Sequence, residues 1–337
     1  NVTGSSNFVA DAGIPVVSAV TATQNSGSGD VIIDYTISDL SAGGLFTDFE
    51  LSANGGVTWD VIVVNYSGDI GVGQTTGLKT FTWNAGLDYT GQFEDQMQVR
   101  VRAEDYFGNQ GDFSASLVFA VDTLAPTFTN ISANQTAGTS LVDIYYDLSD
   151  DSDISNVSLQ ISEDGGITWN VPIDSATGNI DDEVEVGTGN LIVWDANADF
   201  AGNDLSSLRV QLIGTDSFGN ISSGFESANF DIDTVSPTGL ANLEKFVSTT
   251  DSVTLVWSEA SDTNFDHYEL WYGNNQLEVQ SRSGSANLWS VAEDATLSDS
   301  LTIFTEITGL TLDTDLFVKI WAVDEFGFEA TTDDINV

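Results

Sequence analysis

The sequence of 337 residues contains no cysteine and very little basic charge. No disulfide can hold the fold, and thiol chemistry is excluded. Only 7 Lys and Arg residues stand against 52 Asp and Glu residues, which gives a formal net charge of −45. Nucleic acid is excluded as a partner because no basic surface exists to neutralise phosphates, and an anionic membrane surface is disfavoured for the same reason. Such a surface repels itself, so divalent cations or high ambient salt are expected to offset it.

Catalytic side chains are scarce as well. The single histidine, His267, has no cysteine or serine nucleophile motif beside it, and no Gly-rich phosphate loop or histidine metal pair occurs. The many acids include the residue types of a carboxylate-pair hydrolase. They recur, however, in turns at domain-periodic positions, which suits domain joints better than one cleft. We therefore expect a protein that is not an enzyme.

The sequence shows neither a signal peptide nor an apolar run of membrane length, and its first residue is Asn1 rather than Met. We expect a processed chain or an excised segment, with no membrane insertion in this part. The scarcity of Lys and Arg is typical of proteins from a saline or calcium-rich exterior. The predicted location is therefore extracellular, at the cell surface.

What the sequence does contain is a long repeat. The run Phe-Ala-Val-Asp-Thr-Leu-Ala-Pro at residues 119–126 recurs 111 positions later at residues 230–237, and an earlier echo lies 111 positions before it at residues 8–15. A fixed long period indicates an array of domains, and 111 residues is close to the size of an immunoglobulin-type sandwich. The predicted domains cover residues 12–124, 125–235 and 236–337.

The same period relates the large aromatic residues of strand-like runs. Tyr35, Tyr146 and Trp257 are each 111 positions apart, and so are Trp83 and Trp194. A large aromatic residue at a fixed point of an early strand is the expected core anchor of a sandwich. We therefore predict that these five side chains pack in the cores and do not stack on a ligand.

A Gly-Gly turn follows the next strand in the first two domains. The second copy, Ser-Glu-Asp-Gly-Gly-Ile-Thr-Trp at residues 162–169, resembles an Asp-box, whereas the first copy has Asn54 in place of the aspartate. The Asx side chain is expected to cap the turn, glycine to permit positive φ, and the Trp to cover the base of the hairpin. Asp-boxes occur in sialidases without taking part in catalysis, and no arginine cluster for a sialic acid carboxylate is recognisable here. The resemblance therefore implies a structural motif.

From Pro237 onward the chain resembles fibronectin type III. The resemblance is carried by Leu-Val-Trp at residues 255–257, Tyr-Glu-Leu-Trp-Tyr at residues 268–272, and the long run at residues 314–324. The run departs from the family at Leu316, where the family usually has Tyr, so the tyrosine-corner hydrogen bond is not expected there. The first two domains are similar to bacterial Ig-like repeats of cell-surface proteins. The resemblance implies an all-β fold of three tandem Ig-like or fibronectin type III-like β-sandwiches in a rod, and no particular activity.

Acidic residues are expected to converge where one sandwich meets the next. In this type of sandwich the linker, the loop after the Tyr strand and the Asp-x-x-Gly turn should meet at one pole. The predicted metal ligands are Asp88, Asp122, Asp150, Asp151, Asp153 and Asp216 at the first joint, and Asp195, Asp199, Asp233, Asp262, Asp266 and Asp324 at the second. Calcium takes six to eight oxygen ligands, so we predict one Ca²⁺ cluster per joint. This arrangement is similar in logic to cadherin joints and calcium-stiffened adhesin repeats.

The alternative interpretation is that these acids are solvated turn residues that cap their own backbone. No EF-hand spacing is present, so the sequence leaves both interpretations open.

The third domain offers a candidate contact surface. If Leu316 and Val318 face inward, strand alternation places Phe317 and Trp321 outward, and Trp271 joins them from the neighbouring strand. An exposed aromatic patch of this kind usually marks a contact surface, and we favour a protein partner over a glycan. The opposite register would place the three side chains in the core.

Residues 1–11 contain Phe8, Val9 and Ala10, which match the last strand of a repeat although no domain precedes them. The segment is a piece of a longer array, a loose terminus, or a donor strand that pairs with an open sheet edge of another subunit. The last strand of the third domain is predicted to be short, covering only residues 334–337. Strand donation would therefore link copies head to tail, and we predict self-association.

Together these features predict an extracellular structural protein, either a subunit or a segment of a filament, stalk or surface layer. A calcium-stiffened adhesin segment and an accessory carbohydrate-binding module of a secreted enzyme are the alternatives.

Overall fold

A computed structural model describes residues 12–40, 43–311 and 315–337. Three β-sandwiches follow one another along the chain, and each consists of antiparallel sheets around a separate hydrophobic core. The predicted all-β fold of tandem sandwiches is confirmed. No helix within the described ranges is long and apolar enough to cross a membrane.

The first sandwich has one short helix, and its chain switches between two sheets. Its elements are β1 (Val16–Gln24), β2 (Asp30–Ser38), β3 (Leu45–Ser52), β4 (Tyr66–Gly68), β5 (Gly71–Gln74), β6 (Gly77–Asn84), α1 (Ala85–Asp88), β7 (Phe93–Glu104), β8 (Ser114–Ala115) and β9 (Phe119–Asp122). One sheet has the order β1-β2-β6-β4. The other has the order β5-β3-β7-β8, with β9 also paired to β7.

The second sandwich repeats this order. Its elements are β10 (Thr127–Gln135), β11 (Leu141–Ser149), β12 (Ile154–Ser162), β13 (Thr177–Gly178), β14 (Asp181–Asp182), β15 (Gly187–Asp195), α2 (Ala196–Phe200), β16 (Asp204–Asp216), β17 (Phe225–Glu226) and β18 (Phe230–Asp233). The sheets have the orders β10-β11-β15-β13 and β14-β12-β16-β17, and β18 pairs with β16.

The third sandwich differs in its middle section. Its elements are β19 (Ala241–Ser248), β20 (Ser252–Ser258), β21 (Phe265–Gly273), α3 (Gln276–Gln280), β22 (Asn287–Trp289), a 3-10 helix (Ala295–Ser298), β23 (Phe304–Thr308), β24 (Phe317–Asp324), β25 (Glu329–Thr331) and β26 (Ile335–Asn336). One sheet has the order β19-β20-β23. The other has the order β22-β21-β24-β25, with β26 also paired to β24.

The predicted aromatic anchors all lie in the cores. The exposed fractions of Tyr35, Tyr146, Trp83 and Trp194 are at most 1%, and that of Trp257 is 5%. Strands such as β2 alternate buried and partly exposed residues, as expected where one sheet face packs and the other is solvated. Full burial of such a side chain contributes about 1.5–3 kcal/mol. The period therefore marks the positions that hold each sandwich together.

The Asp-box turns are structural, as predicted. Asp164 Oδ1 accepts hydrogen bonds from the backbone N–H groups of Ile167 at 3.0 Å and Thr168 at 2.8 Å, and the Thr168 hydroxyl donates to Oδ2 at 2.7 Å. The hydrogen bonds from Thr168 and Ser162 lower the pKa of Asp164 to about 2. In the first domain Asn54 Oδ1 accepts the equivalent hydrogen bond from the Thr58 N–H at 2.9 Å. An amide and a carboxylate can both cap this turn.

Candidate metal centres at the two joints

A glutamine side chain fixes the end of the last strand in each of the first two sandwiches. Gln24 Nε2 donates to the Asp122 carbonyl at 2.6 Å, and the Asp122 N–H donates to Gln24 Oε1 at 2.7 Å. Gln135 binds Asp233 in the same way, at 2.6 and 2.8 Å. Each glutamine therefore takes the place of a neighbouring strand and holds an aspartate at the boundary between two domains.

At each joint, a turn of the following domain contacts the loop beside that glutamine. The Gly27 N–H donates to the Phe218 carbonyl at 2.7 Å, and the Gly138 N–H donates to the Phe326 carbonyl at 2.6 Å. A Cβ atom on Gly219 would lie 2.4 Å from the Gly27 nitrogen, so the contact requires glycine in the turn. We call residues 24–27 and 135–138 the Gln-Gly loops. The turns that contact these loops, which we call the seated turns, begin with the predicted ligands Asp216 and Asp324.

At the first joint three of the predicted aspartates come together. Asp122, Asp150 and Asp216 each offer a carboxylate oxygen, and these atoms lie within 4.8 Å of one another. Asp122 is 0% exposed, and its Oδ1 accepts a hydrogen bond from the Leu124 N–H at 2.9 Å. The Oδ2 atoms of Asp122 and Asp150 are buried without a hydrogen-bond partner in the part of the chain that the structure describes. Buried polar atoms are rarely left in this state.

The second joint brings together Asp233, Asp262 and Asp324, again with oxygens within 4.8 Å of one another. Asp324 is 2% exposed. Its Oδ1 accepts the N–H groups of Phe326 at 2.9 Å and Phe328 at 2.8 Å, whereas its Oδ2 is buried and has no partner among the described residues.

Burial and mutual repulsion act on both clusters. Burial raises the pKa of Asp122 and of Asp150, and the charge of Asp216 raises both further. Burial likewise raises the pKa of Asp324 to about 6, with a further contribution from the charges of Asp233 and Asp262. Each site therefore holds negative charge in a place that disfavours it. A hard cation with oxygen ligands would relieve both effects.

The two centres differ in one amide. Asn220 Nδ2 donates to Asp216 Oδ2 at 2.7 Å and to the Asp122 carbonyl at 3.1 Å, whereas Phe328 stands at the equivalent position of the second joint. There Asn264 Nδ2 donates instead to Asp233 Oδ2 at 3.1 Å and to Asp204 Oδ1 at 2.8 Å. Asp204 was not predicted from the sequence. The residue 111 positions earlier is Phe93, so the period gave no signal for it.

The other six predicted ligands lie outside both clusters. Asp88 and Asp199 accept the indole N–H groups of Trp83 at 3.1 Å and Trp194 at 3.0 Å, and thereby tie the loops after β6 and β15 to their own domains. Asp195 is the N-cap of α2. The remaining three do not take part either: Asp266 contacts His267, and Asp151 and Asp153 are exposed.

The predicted aromatic patch of the third domain has the predicted register. Val318 and Ile320 lie in the core, while Trp321 pairs with Glu269 and Phe317 pairs with Gly273, so Trp271, Phe317 and Trp321 share the opposite face.

The prediction that all three side chains are exposed is wrong. Trp321 is only 5% exposed, because the guanidinium of Arg282 lies 5.0 Å from its ring centroid. Salt bridges of 2.7 Å to Glu269 and to Glu329 hold Arg282 in this position. Trp271 and Phe317 are half-buried. The face is therefore covered by a cation in its own domain, which weakens the case for a glycan-binding surface.

The predicted donor strand, Phe8, Val9 and Ala10, lies outside the described residues.

Comparison with known proteins gives structural neighbours only. No family model matches the sequence, and no curated protein matches it. The FN1–FN3 domains of chicken CNTN1 are 10% identical over 96% of each chain, with a TM-score of 0.35. Domains A168–A170 of titin are 10% identical over 97% of this chain and 99% of theirs, with a TM-score of 0.39. We draw no function from either similarity.

Proposed function

We propose that the chain is an extracellular structural segment whose two domain joints are each stiffened by a bound Ca²⁺ ion. The observation that carries the proposal is the buried carboxylate oxygen without a partner at each joint, Asp122 Oδ2 at the first and Asp324 Oδ2 at the second. Tandem sandwiches without a nucleophile motif fit a structural or adhesion-type spacer. The strongly acidic composition fits a partner that supplies positive charge.

The ligands of each site would come from two domains. At the first joint Asp122 belongs to the first sandwich, while Asp150 and Asp216 belong to the second. At the second joint Asp233 precedes the linker, and Asp262 and Asp324 follow it. An ion bound by all three side chains would oppose rotation of one domain against the next. The function proposed for the ion is mechanical, and it requires no chemistry from the protein.

The choice of calcium follows from the ligand chemistry and spacing. Calcium binds oxygens at about 2.3–2.6 Å, so ligands on opposite sides of the ion are about 4.6–5.2 Å apart. The carboxylate oxygens at each joint lie within 4.8 Å of one another. Three carboxylates supply fewer than the six to eight oxygens that calcium takes, so water would complete the shell. We expect a dissociation constant on the order of 10⁻⁴–10⁻³ M, the range of extracellular modules.

Calcium titration tests the proposal. Isothermal titration calorimetry should detect two sites per chain, and small-angle scattering should show a narrower distribution of interdomain distances in calcium than in EGTA at matched ionic strength. The double variant Asp122→Asn with Asp233→Asn should lose both sites. If calcium produces no heat and leaves the melting temperature and hydrodynamic length unchanged, the proposal is wrong.

A second candidate function is head-to-tail self-association by strand donation. β9 pairs with Phe93–Met97 of β7, and β18 pairs with β16 in the same way. In the third sandwich β26 is the counterpart of β9, since it pairs with the start of β24, but it is shorter and its pairing covers only Phe317 and Val318. A strand with the sequence Phe-Val-Ala-Asp from residues 8–11 of a second copy has the composition to extend this short pairing.

Electron microscopy of the protein with and without residues 1–11 tests this candidate. Filaments formed by the full chain alone would support strand donation. Single three-domain particles in both samples would contradict it.

A further inference from the structure

The first sandwich has the same kind of turn as the second and third sandwiches, in which this turn contacts the preceding domain. Asp105 Oδ1 accepts the N–H groups of Phe107 at 2.8 Å and Asn109 at 2.9 Å. Asp324 Oδ1 accepts the equivalent N–H groups of Phe326 and Phe328. Gly108, Gly219 and Gly327 all have a φ of +84°. The three turns, at residues 105–109, 216–220 and 324–328, therefore share one conformation.

The turns of the second and third sandwiches each contact a Gln-Gly loop. The turn of the first sandwich is more exposed than these two. Gly219 and Gly327 lie close to Gly27 and Gly138, whereas a Cβ atom on Gly108 would meet nothing within 4 Å among the described residues. Phe107 is 48% exposed, whereas its counterparts Phe218 and Phe326 are half-buried. The turn of the first sandwich thus presents an exposed surface where its counterparts form a domain contact.

The acids of a joint are also present beside this turn. Asp105 is 5% exposed, at the position of Asp216. Asp39 follows β2 as Asp150 follows β11. The counterpart of Asp122 is Asp11, which lies outside the described residues. Two of the three carboxylates of a joint therefore belong to the first domain, as they do to the following domain at each of the other joints.

A second copy of this chain does not offer a matching loop. Both Gln-Gly loops are already in contact with the turn of the following domain. In the third sandwich Ser248 pairs with Val253, at the place where Gln24 pairs with Val31 and Gln135 pairs with Val142. The residues after Ser248 are Thr249, Thr250 and Asp251, with no glycine. The pattern of the first two sandwiches is therefore absent from the third.

We propose that residues 105–109 together with Asp39 form a docking surface for a further β-sandwich of the type of the first two domains. Its partner is a domain with a Gln-Gly loop and a last strand that ends in aspartate at the position of Asp11. The docking follows from the two seated turns alone. Only the expectation that this third joint also binds a cation rests on the function proposed above.

A register-matched fusion tests the docking. Residues 125–233 replace residues 1–11, so that Asp233 of the added domain stands directly before Ala12. Segmental ligation confines ¹⁵N to the added domain. We expect its Gly138 amide to exchange at least about tenfold more slowly than in the same fusion carrying Gly108→Ala, and we expect the added domain to tumble with its neighbour.

The control Gly108→Ala adds a Cβ at the position where Gly219 has no room for one. A second variant, Gln135→Ala in the added domain only, leaves the turn of the first sandwich intact and should also lower the protection of Gly138. Spectra of the added domain report that it remains folded in each variant.

The outcomes separate the two proposals. Independent tumbling of the added domain, with equal exchange in the parent fusion and both variants, overturns the docking. Protection of Gly138 with three bound Ca²⁺ ions, against two for the chain without the added domain, supports docking and cation together. Protection without any bound calcium upholds the docking and overturns the proposed function of the joints.

Discussion

Replacing Asp122 by Asn should change the stability of the protein in opposite directions with and without calcium. The amide retains an oxygen that can accept the hydrogen bond from the Leu124 N–H, so the local turn is preserved. It removes the negative charge that faces Asp150 and Asp216. In EGTA the variant should therefore be more stable than the parent, because one like charge has left a buried cluster.

The size of the effect follows from the spacing of the carboxylates. Two unit charges 4.8 Å apart repel by about 3.5 kcal/mol at an effective dielectric constant of about 20. Asp122 faces two such charges, so the repulsion at this limiting distance is about 7 kcal/mol. Relaxation and solvent leave a fraction of it, and about 2 kcal/mol is expected. This would raise the melting temperature of a domain of this size by about 8 °C.

In saturating calcium the order should reverse. A site with calcium at 100 times its dissociation constant stabilises the parent by about 2.7 kcal/mol, and the variant loses this contribution at the first joint. Calorimetric melting in EGTA and in CaCl₂ at matched ionic strength measures both effects. Asp182→Asn is the matched control, because Asp182 is exposed on the short strand β14 and belongs to neither cluster.

The reasoning is refuted if Asp122→Asn has the same effect in EGTA and in calcium. That result would mean that Asp122 is an ordinary capping residue of its turn. A response of Asp182→Asn equal to that of Asp122→Asn would show that calcium acts through the net charge of the surface rather than through the joint.

Three further predictions concern the second joint, the seated turn and the core. In EGTA the folded state should bind an extra proton between about pH 4 and pH 6, because Asp324 has a raised pKa of about 6. The stability of the protein should therefore fall as pH rises through this window. Thermal melts of Asp324→Asn should lack this pH dependence. Gly219→Ala should loosen the first joint, seen as a broader distance distribution between spin labels in the first and second domains, whereas Gly108→Ala imposes the same turn strain of about 1–2 kcal/mol with no joint contact. Equal distributions in the two variants would contradict the seating of the turn. Trp194→Phe should destabilise the second domain by about 2–3 kcal/mol in chemical denaturation, because the side chain is fully buried and its indole N–H donates to Asp199. The control Trp59→Phe should destabilise the first domain by less, because Trp59 is half-buried.

Much of the fold follows from one period in the sequence. Residues repeated at 111 positions are those that every sandwich needs, so Tyr35, Tyr146, Trp83 and Trp194 could be placed in the cores without a structure. The period itself indicated one aspartate of each joint, because Asp122 and Asp233 are 111 positions apart. The other two of each joint were indicated by the equivalent loop and turn in which they lie, at offsets of 112 for Asp262 and 108 for Asp324.

The remaining site residues depend on the direction of side chains within loops, which the period does not contain. Asp88 and Asp199 lie five residues after Trp83 and Trp194, and this shared spacing was a signal for an indole N–H acceptor rather than a metal ligand. Trp321 is covered by Arg282, which arrives from a segment with no counterpart in the first two domains. Contacts between non-equivalent parts of the repeat are the ones that the sequence does not reveal.

The composition of each joint has a mechanical consequence. Among the described residues, the polar contacts between the first two sandwiches include a backbone hydrogen bond from Gly27 to Phe218, a side-chain hydrogen bond from Asn220 to the Asp122 carbonyl, and the carboxylate cluster. None of them is part of a strand pairing. When the two ends are pulled, a joint can therefore open while every sheet stays intact. Closing it again requires the return of one turn to one loop, so the chain can lengthen under load and shorten afterwards without refolding a domain.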